Sequence, residues 1–437
     1  MSLPTMNEDL PCVERGVWTP VPIPPPRPLR PLSLKAIDPA EDARCRTAGV
    51  LTFHAVGCTG DLGDHTPQLA VATAMTGQIM DPGRVGLADG DATTASFLFH
   101  LGDVTYTGED TAASDDIRRD DANQTGVVKN QSQLYRDQFF LPYHGYRRAI
   151  VAIAGNHDGK MHKKPKRSPI QHFLTTFCAE GDRPSPDNDI DDRPTMPQPY
   201  VYWRLETPLA SIIGLYSNVA NGGILDDPTL PDTAPHPQYD WLVSQLRDLR
   251  RKNARRRSRK AILLAVHYPP YSGAANFAAR GDPTRGPTQA HVAPLAERLQ
   301  QAFVASGQRP DAILSAHAHL YQRLTYRYVD GWELPCLVAG SGGHAPIEDL
   351  WRECDGKTKA PQRSLPIAAI LPAGSVLPPG DAVAVIAAND QSSDNAFGFL
   401  RLTITAERLT GEFFAATPGP LTLADSFVLD LATHHLG

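Results

Sequence analysis

The stretch AILSAHAH, residues 312–319, begins as a buried strand and ends in two histidines. His317 and His319 stand two positions apart, and side chains at that spacing on an extended segment point the same way. Both imidazoles could therefore reach one metal ion, or two neighbouring ions. A polar loop that begins at a strand end gives the same pattern, so a metal site requires further ligands elsewhere in the chain.

The chain from about residue 50 onwards has the rhythm of a layered α/β fold. Seven short apolar runs predict buried strands that end in polar loops: GVLTFHAVG (49–57), ASFLFHLGD (95–103), AIVAIAGNHD (149–158), SIIGLYSN (211–218), AILLAVHYPPY (261–271), AILSAHAH (312–319) and PCLVAGSGG (335–343). Helix-like stretches lie between them, at residues 65–80, 130–143, 237–252 and 292–307. Continuous apolar strands are buried on both faces, and their alternation with helices indicates an α/β architecture. Residues 397–416 alternate polar with apolar, which predicts antiparallel strands at the edge of a sheet.

Polar side chains collect where five of these strands end. In layered α/β folds, function is found at the carboxyl ends of the strands. Oxygen and nitrogen donors stand there at Asp61, Asp103, Tyr106, Asn156, His157, Asp158, His267, His317 and His319. Each residue alone has an ordinary explanation, such as a turn aspartate or a hydrogen-bonded histidine. Their repeated occurrence at successive strand ends favours a shared site.

The number of donors points to two metal ions. Seven side chains are candidates for ligands: Asp61, Asp103, Tyr106, Asn156, His267, His317 and His319. One ion rarely uses more than about six donors, and usually keeps positions for water. Two ions about 3.5–4 Å apart, joined by one carboxylate, can hold both the attacking and the leaving side of a phosphate. Oxygen and nitrogen donors without cysteine favour iron, manganese or zinc over soft metals.

The motifs as a set resemble the calcineurin-type metallophosphoesterases. They are GDLG (60–63), GDVTY (102–106), GNHD (155–158), AVHYPPY (265–271) and AHAHLYQR (316–323). The superfamily opens with Asp-x-His, whereas this chain has Asp61-Leu62-Gly63 and carries Tyr106 three positions after Asp103. That exchange marks the purple acid phosphatase branch, which the chain resembles most, from about residue 50 to 345. Ala316, where the family usually has glycine, and Asp158, where plant members often have glutamate, are mild departures.

The resemblance implies a fold and a set of roles. The fold would be a four-layer αββα sandwich of two mixed β-sheets flanked by helices. Asp61, Tyr106 and His319 would hold an Fe(III) ion. Asn156, His267 and His317 would hold an Fe(II), zinc or manganese ion. Asp103 would bridge the two ions. His157, beside Asn156 in the substrate-binding part of the site, would lie against the phosphate and act as the catalytic acid. His344 would lie near the site without an assigned role.

We therefore expect a dinuclear hydrolase of phosphate esters that uses a metal-bound hydroxide. Phosphomonoesters are the first choice of substrate, with an acid phosphatase-like activity. A phosphodiesterase or a nucleotide pyrophosphatase on the same core is the alternative among enzymes. A catalytically silent metal-binding scaffold that docks a partner is the alternative from another class. The sequence leaves the physiological substrate, the native metal pair and the oligomeric state open.

The remaining features of the sequence indicate the domain organisation and the surface segments that partners could contact. Residues 1–45 read as a proline-rich arm, and residues 46–437 as the catalytic domain with C-terminal antiparallel strands. Two polar, proline-rich segments, 184–199 and 227–238, predict exposed loops. A basic insertion after GNHD could attract an anionic substrate or be an ordinary exposed loop, and carries Lys160, His162, Lys163, Lys164 and Arg167.

Charge and composition exclude several classes of partner. The formal net charge of −6 gives no general affinity for nucleic acid or an anionic membrane. No run of about 18 apolar residues predicts a membrane span. The start, MSLPTMNEDLPCVERG, lacks the apolar segment of a signal peptide, which predicts a cytoplasmic location and leaves export open if the native N-terminus is altered. Free thiols are expected, with disulfides left open, at Cys12, Cys45, Cys58, Cys178, Cys336 and Cys354.

Overall fold

Two β-sheets form the centre of the molecule, and helices cover their outer faces. The computed structural model describes residues 29–61, 63–80, 94–106, 118–119, 128–129, 131–159, 170–217, 225, 236–270, 272, 274, 288–328, 330–348, 352–354, 359–361 and 385–437. The basic insertion from Lys160 to Arg167, residues 1–28 of the arm and most of the predicted loop at 227–238 lie outside the described residues.

The described strands follow one another along the chain as β1 (Leu32–Ser33), β2 (Leu51–Val56), β3 (Phe97–His100), β4 (Arg118–Arg119), β5 (Val128–Lys129), β6 (Ala149–Ala152), β7 (Trp203–Glu206), β8 (Ala210–Gly214), β9 (Ala261–Ala265), β10 (Ala312–Ser315), β11 (Tyr321–Arg327), β12 (Glu333–Ala339), β13 (Arg352–Cys354), β14 (Lys359–Pro361), β15 (Val385–Ser393), β16 (Phe397–Ile404), β17 (Arg408–Thr417) and β18 (Thr422–Asp430). The described helices are α1 (Leu34–Ile37), α2 (Pro39–Ala48), α3 (Thr66–Met80), α4 (Gln131–Tyr135), α5 (Leu141–Tyr143), α6 (Asn156–Gly159), α7 (Ile170–Phe177), α8 (Pro237–Ala254) and α9 (Thr288–Ser306). Arg136–Phe140 form a π-helical turn between α4 and α5. All seven predicted strands and all four predicted helical stretches are confirmed.

Both main sheets are mixed. The larger has the spatial order β1-β7-β8-β9-β10-β12-β11-β15, and the smaller has the order β18-β17-β16-β2-β3-β6. In the larger sheet β8, β9, β10 and β12 run parallel, whereas β11 and β15 add to it antiparallel. In the smaller sheet β2, β3 and β6 run parallel, and β16, β17 and β18 are antiparallel, as the alternating segment 397–416 predicted. Two further pairs, β4-β5 and β13-β14, are separate hairpin-like sheets.

The alternation of side chains along β9 shows how the layers arise. Successive side chains of a strand point to opposite faces. Leu263 belongs to the core that it shares with Phe53 of the smaller sheet. Its neighbours Ile262 and Leu264 belong to a second core with Leu246 of α8 and with residues of α9. On the smaller sheet, α3 packs against β16 and β17. The predicted arrangement of two mixed sheets flanked by helices is therefore confirmed.

The start of the described chain is joined to the larger sheet. Leu32 and Ser33 pair in parallel with β7, and α1 and then α2 follow. Local signals fix α2, because the Asp38 side chain accepts a hydrogen bond from the backbone N of Glu41 (3.0 Å) and Gly49 ends the helix at a φ of 66°. The boundary that we expect after residue 45 falls inside α2, and the division into an arm and a catalytic domain stays a prediction.

Residues 184–199, predicted as an exposed loop, are in part buried against the edge of the smaller sheet. The Gln198 side chain accepts a hydrogen bond from the backbone N of Ala152 (2.8 Å) and donates one to its carbonyl oxygen (2.9 Å). Arg193 donates to the carbonyl oxygen of Arg148 (3.0 Å). These bonds satisfy backbone groups of the edge strand β6 that another strand would otherwise pair. The polar composition of the segment indicated a loop but not its contacts.

No helix among the described residues has the length and apolar character that crossing a membrane requires.

Candidate metal centre

Three parallel neighbours in the smaller sheet end in the same way. After β2, β3 and β6 the chain reads Gly57-Cys58, Gly102-Asp103 and Gly155-Asn156. Two of these glycines are required by close packing. Gly102 has a φ of +97°, and a Cβ there would lie 2.5 Å from His267 Nδ1; a Cβ on Gly155 would overlap Asp103. The glycines thus allow the polar residues that follow them to approach one another.

Six of the seven predicted ligands come together at these strand ends, and we call them the metal centre: Asp103, Tyr106, Asn156, His267, His317 and His319. Asp103 follows β3, Asn156 begins α6, and His267 follows β9. His317 and His319 lie on the loop between β10 and β11. The larger sheet therefore supplies the three histidines, and the smaller sheet supplies the oxygen donors.

Three atoms with lone pairs face one another on one side of the metal centre. His267 Nε2 lies 3.2 Å from Asp103 Oδ2 and 3.1 Å from Asn156 Oδ1. His267 Nδ1 is bonded to the carbonyl oxygen of Leu101 (2.8 Å), which leaves the lone pair of a neutral ring on Nε2. Asp103 Oδ2 is buried and accepts no hydrogen bond from the described residues. A proton or a metal cation is what such a group of acceptors binds.

The pKa shifts express the same attraction for positive charge. Burial opposes ionisation of Asp103, but His267 and His157 oppose that effect and hold the pKa of Asp103 well below its usual range. Burial also lowers the pKa of His267, yet the Asp103 carboxylate raises it by more, so that the pKa lies above its ordinary value. A metal ion would replace the proton on His267 Nε2 and interact with the same carboxylate.

The other side of the metal centre holds Tyr106 and His319. The Tyr106 hydroxyl lies 3.2 Å from His319 Nε2. His344 stacks on the Tyr106 ring with the ring centroids 3.5 Å apart. Burial and then His344 lower the pKa of His319 to about 3, so its imidazole is neutral. Burial, with Cys58 and Asp103 adding to it, raises the pKa of Tyr106 well above its ordinary value, so that only a strongly charged cation would bind it as phenolate.

His317 and His157 complete the surroundings of the metal centre. Burial and the neighbouring His267 lower the pKa of His317 well below its ordinary value, which keeps it in the neutral form that binds metals. The ring of His157 is half-buried, 4.3 Å from the Tyr106 ring between centroids. Its backbone N donates to Asp103 Oδ1 (2.8 Å), so Oδ2 is the oxygen that faces His267.

Asp158 has a structural role beneath the metal centre. Its buried carboxylate accepts hydrogen bonds from the backbone N atoms of Gly155 (2.8 Å) and Val104 (3.1 Å). Burial, with the Asp103 charge adding to it, raises the pKa of Asp158 to about 7. The side chain therefore joins the loop after β3 to the loop after β6, and fixes the positions of Asp103 and Asn156.

The contacts of the Asp61 carboxylate differ from those of the other six predicted ligands. Its carboxylate accepts hydrogen bonds from the backbone N atoms of Gly63 (2.9 Å) and Ala345 (3.0 Å). Its Oδ2 is 3.5 Å from His344 Nδ1, and His344 in turn stacks on Tyr106. Asp61 thus borders the metal centre through His344.

Cys58 is the residue at this site that the sequence motifs did not indicate. Its sulfur, a carboxylate oxygen of Asp103 and a ring nitrogen of His267 lie within 4.8 Å of one another, a grouping that could hold a metal ion. The expectation of donors without cysteine stays a prediction, and Cys58 is a further candidate beside it. One signal was present in the sequence, because Gly57-Cys58 follows its strand as Gly102-Asp103 and Gly155-Asn156 follow theirs.

A family model for calcineurin-like phosphoesterases matches residues 54–321, which is more than half of the chain. The chain belongs to the calcineurin-like phosphoesterase family. The match supports the expectation of a metal-dependent phosphoesterase with two metal ions. The matched residues begin in β2 and end with Tyr321 of β11, so they include every residue of the metal centre.

Several solved structures resemble this chain at low sequence identity. A purple acid phosphatase from yellow lupin (Lupinus luteus) seeds is 14% identical, with a TM-score of 0.49 over 87% of this chain and 54% of that one. GAP50, the anchor in the inner membrane complex of Plasmodium, is 12% identical, with a TM-score of 0.48 over 87% and 89%. PhoD is 15% identical, with a TM-score of 0.46 over 95% and 73%. The chain spans about half the length of the lupin enzyme. No curated protein sequence matches it.

Proposed function

We propose that this calcineurin-like phosphoesterase hydrolyses phosphate monoesters at a dinuclear metal centre, with an acid phosphatase-like activity. The observation that carries the proposal is the convergence of two oxygen donors on His267 Nε2, which lies 3.2 Å from Asp103 Oδ2 and 3.1 Å from Asn156 Oδ1. These atoms lie beside Tyr106, His317 and His319, so the donor set is large enough for two ions.

The ligands divide into two groups around Asp103, which would bridge. Asn156, His267 and His317 would hold one ion, for which Fe(II), zinc or manganese suits the oxygen and nitrogen donors. Tyr106 and His319 would hold the other. The raised pKa of Tyr106 favours a hard trivalent ion at this position, and Fe(III) is the proposed one. Asp61 as a further ligand of this ion stays a prediction.

When bound, the two ions would neutralise phosphate charge and make water available as a nucleophile. Side chains of the protein would position the ester and supply a proton to the leaving oxygen. Asn156, at the N-terminal end of α6, could donate through its amide to a phosphate oxygen. His157 is half-buried beside Tyr106, where its ring could face the phosphate and protonate the leaving oxygen.

Turnover of two model substrates tests the proposal. Protein purified without added metal would first be analysed for iron, zinc and manganese. It would then be assayed with p-nitrophenyl phosphate and with bis(p-nitrophenyl) phosphate, each over a range of pH. We expect two metal ions per chain and a higher kcat/KM for the monoester. A preference for the bis-ester would make the chain a phosphodiesterase, and full metal content without turnover of either ester would make it a binding scaffold.

A further inference from the structure

Cys58 has an unusual backbone that it shares with two residues of the metal centre. Its φ is 54°, and the φ values of Asp103 and His317 are 53° and 63°. Non-glycine residues rarely adopt this left-handed conformation, which costs of order 1–3 kcal/mol and is concentrated at functional sites. Each of the three stands two or three residues after the end of a buried strand. The fold therefore turns Cys58 towards the same place as two predicted ligands.

The contacts of the Cys58 side chain lie within the metal centre. Its sulfur accepts a hydrogen bond from the backbone N of His317 (3.1 Å) and interacts with the Tyr106 hydroxyl. It lies within 4.8 Å of ligand atoms of Asp103 and His267. The independent sign of a ligand is Asp103 Oδ2, which is fully buried, aimed into this group and without a hydrogen bond from the described residues.

The backbone around Cys58 fixes it from three directions. Its N donates to the carbonyl oxygen of Gly102 (3.0 Å), and its own carbonyl oxygen accepts from His344 N (3.0 Å). Gly57 N donates to the carbonyl oxygen of Ala339, at the end of β12 (2.9 Å). Both sheets therefore hold the residue in place. Asp61, in contrast, uses both carboxylate oxygens to bind backbone N atoms of Gly63 and Ala345.

We propose that Cys58, and not Asp61, is the seventh ligand of the metal centre, and that it gives the ion held by Tyr106 and His319 a thiolate donor. The inference rests on the proposed function, because it assumes that the metal centre binds cations. On binding, the thiol proton would leave to solvent and the sulfur would form a bond to the ion.

Cobalt(II) is the probe that distinguishes the two candidate ligands. A thiolate bound to Co(II) gives an intense near-ultraviolet charge-transfer band, which carboxylate, phenol and imidazole ligands do not give. Chelator-treated protein would be titrated with Co(II), and the band and the number of bound ions would be recorded. The wild type should bind two ions and develop the band. Cys58→Ser should lose the band and bind one of the ions at least about tenfold more weakly.

Three further variants control the experiment. Cys58→Asp supplies a carboxylate at the same place and should bind two ions without the band. Cys45→Ser changes a buried thiol of α2 that is hydrogen-bonded to the Ser96 hydroxyl, away from the metal centre. This variant should behave like the wild type. Asp61→Asn should also keep both ions and the band.

The possible outcomes separate this inference from the proposed function. A wild type that binds two Co(II) ions without the band would overturn the role of Cys58 and leave the proposed function standing. Loss of an ion in Asp61→Asn, with the band unaffected by Cys58→Ser, would restore Asp61 as the ligand and make Cys58 an ordinary small core residue. A wild type that binds no Co(II) would reject both proposals. Thermal unfolding of each variant would show whether a lost ion reflects a lost fold.

Discussion

Replacing Gly155 by alanine tests whether the metal centre depends on close approach of two strand ends. Gly155 stands between β6 and Asn156, and its backbone N donates to Asp158. A Cβ at this position would overlap Asp103 Oδ1 and the Asp103 backbone N, and would lie only 2.7 Å from Asp103 Cγ. These atoms belong to a buried residue whose carboxylate is already fixed by His157 N, so it has little freedom to turn away.

The size of the effect follows from the displacement that alanine requires. Ordinary contacts of a Cβ begin at about 3.4 Å, so the Asp103 carboxylate would have to retreat by roughly 1 Å. A misplacement of about 1 Å in a catalytic group can cost on the order of 10²-fold in rate. We therefore expect kcat/KM of Gly155→Ala to fall about 100-fold, which corresponds to about 2.7 kcal/mol of transition-state stabilisation.

The assay combines turnover of p-nitrophenyl phosphate with metal analysis and thermal unfolding. Gly145→Ala is the matched control, because the nearest atoms to its Cβ would be those of Thr76, at 3.7 and 3.9 Å, and it should match the wild type in all three measurements. Activity of Gly155→Ala within threefold of the wild type, at full metal content, would refute the reasoning. It would mean that Asp103 tolerates movement and does not fix the geometry of the reaction.

Four other changes test separate parts of the molecule. Asp103→Ala should lose both metals and nearly all activity because the bridging carboxylate is removed; full metal occupancy in elemental analysis would contradict the bridge. His157→Ala should keep its metals and lose about 10²–10⁴-fold in kcat, the usual contribution of a general acid, and an unchanged kcat would reject that role. In a Cys58→Ser protein, where no thiolate contributes, Tyr106→Phe should remove any visible absorption of the iron-loaded protein, since a phenolate is then needed for charge transfer to Fe(III); absorption that persists would exclude Tyr106 as its source. Burial lowers the pKa of His54 from 6.5 to about 3, so between these pH values the unfolded chain binds a proton at His54 and the folded chain does not. Stability to urea should therefore fall as the pH drops from 6.5 towards 3. A His54→Gln variant with the same pH dependence would contradict this cause.

Much of the fold could be predicted because its signals are local. The strands β2, β3, β6, β9 and β10 are mostly apolar, since helices or the other sheet cover both of their faces. Polar residues follow within four positions of each strand, so the strand ends are visible in the sequence. His317 and His319 were recognisable for the same reason, because a strand and its loop place them together without help from distant residues.

Contacts that join distant segments were not predictable in this way. The segment 184–199 reads as a polar loop, yet Gln198 pairs with the backbone of Ala152 in β6. A glutamine side chain that takes the place of a neighbouring strand has no local signature. Helix 130–143 contains a π-helical turn at Arg136–Phe140, and the sequence pattern gave no sign of it either. In both cases the tertiary contacts decide the local conformation.

The proposed choice of Cys58 over Asp61 depends on the backbone conformation after β2, which the motifs do not describe. Asp61 stands in a GDLG motif, whose residue types match the resemblance, whereas Cys58 carries no motif of its own. The conformation of the chain after β2 decides which side chain enters the site. A left-handed turn at Cys58 comes only two residues after the strand and sends its sulfur towards Asp103 and His267. Three residues further on, the chain has moved far enough for Asp61 to bind the loop at Ala345 instead. On the proposal that Cys58 is the ligand, its distance from the strand end and the glycine that precedes it select it, and residue type alone does not distinguish the two candidates.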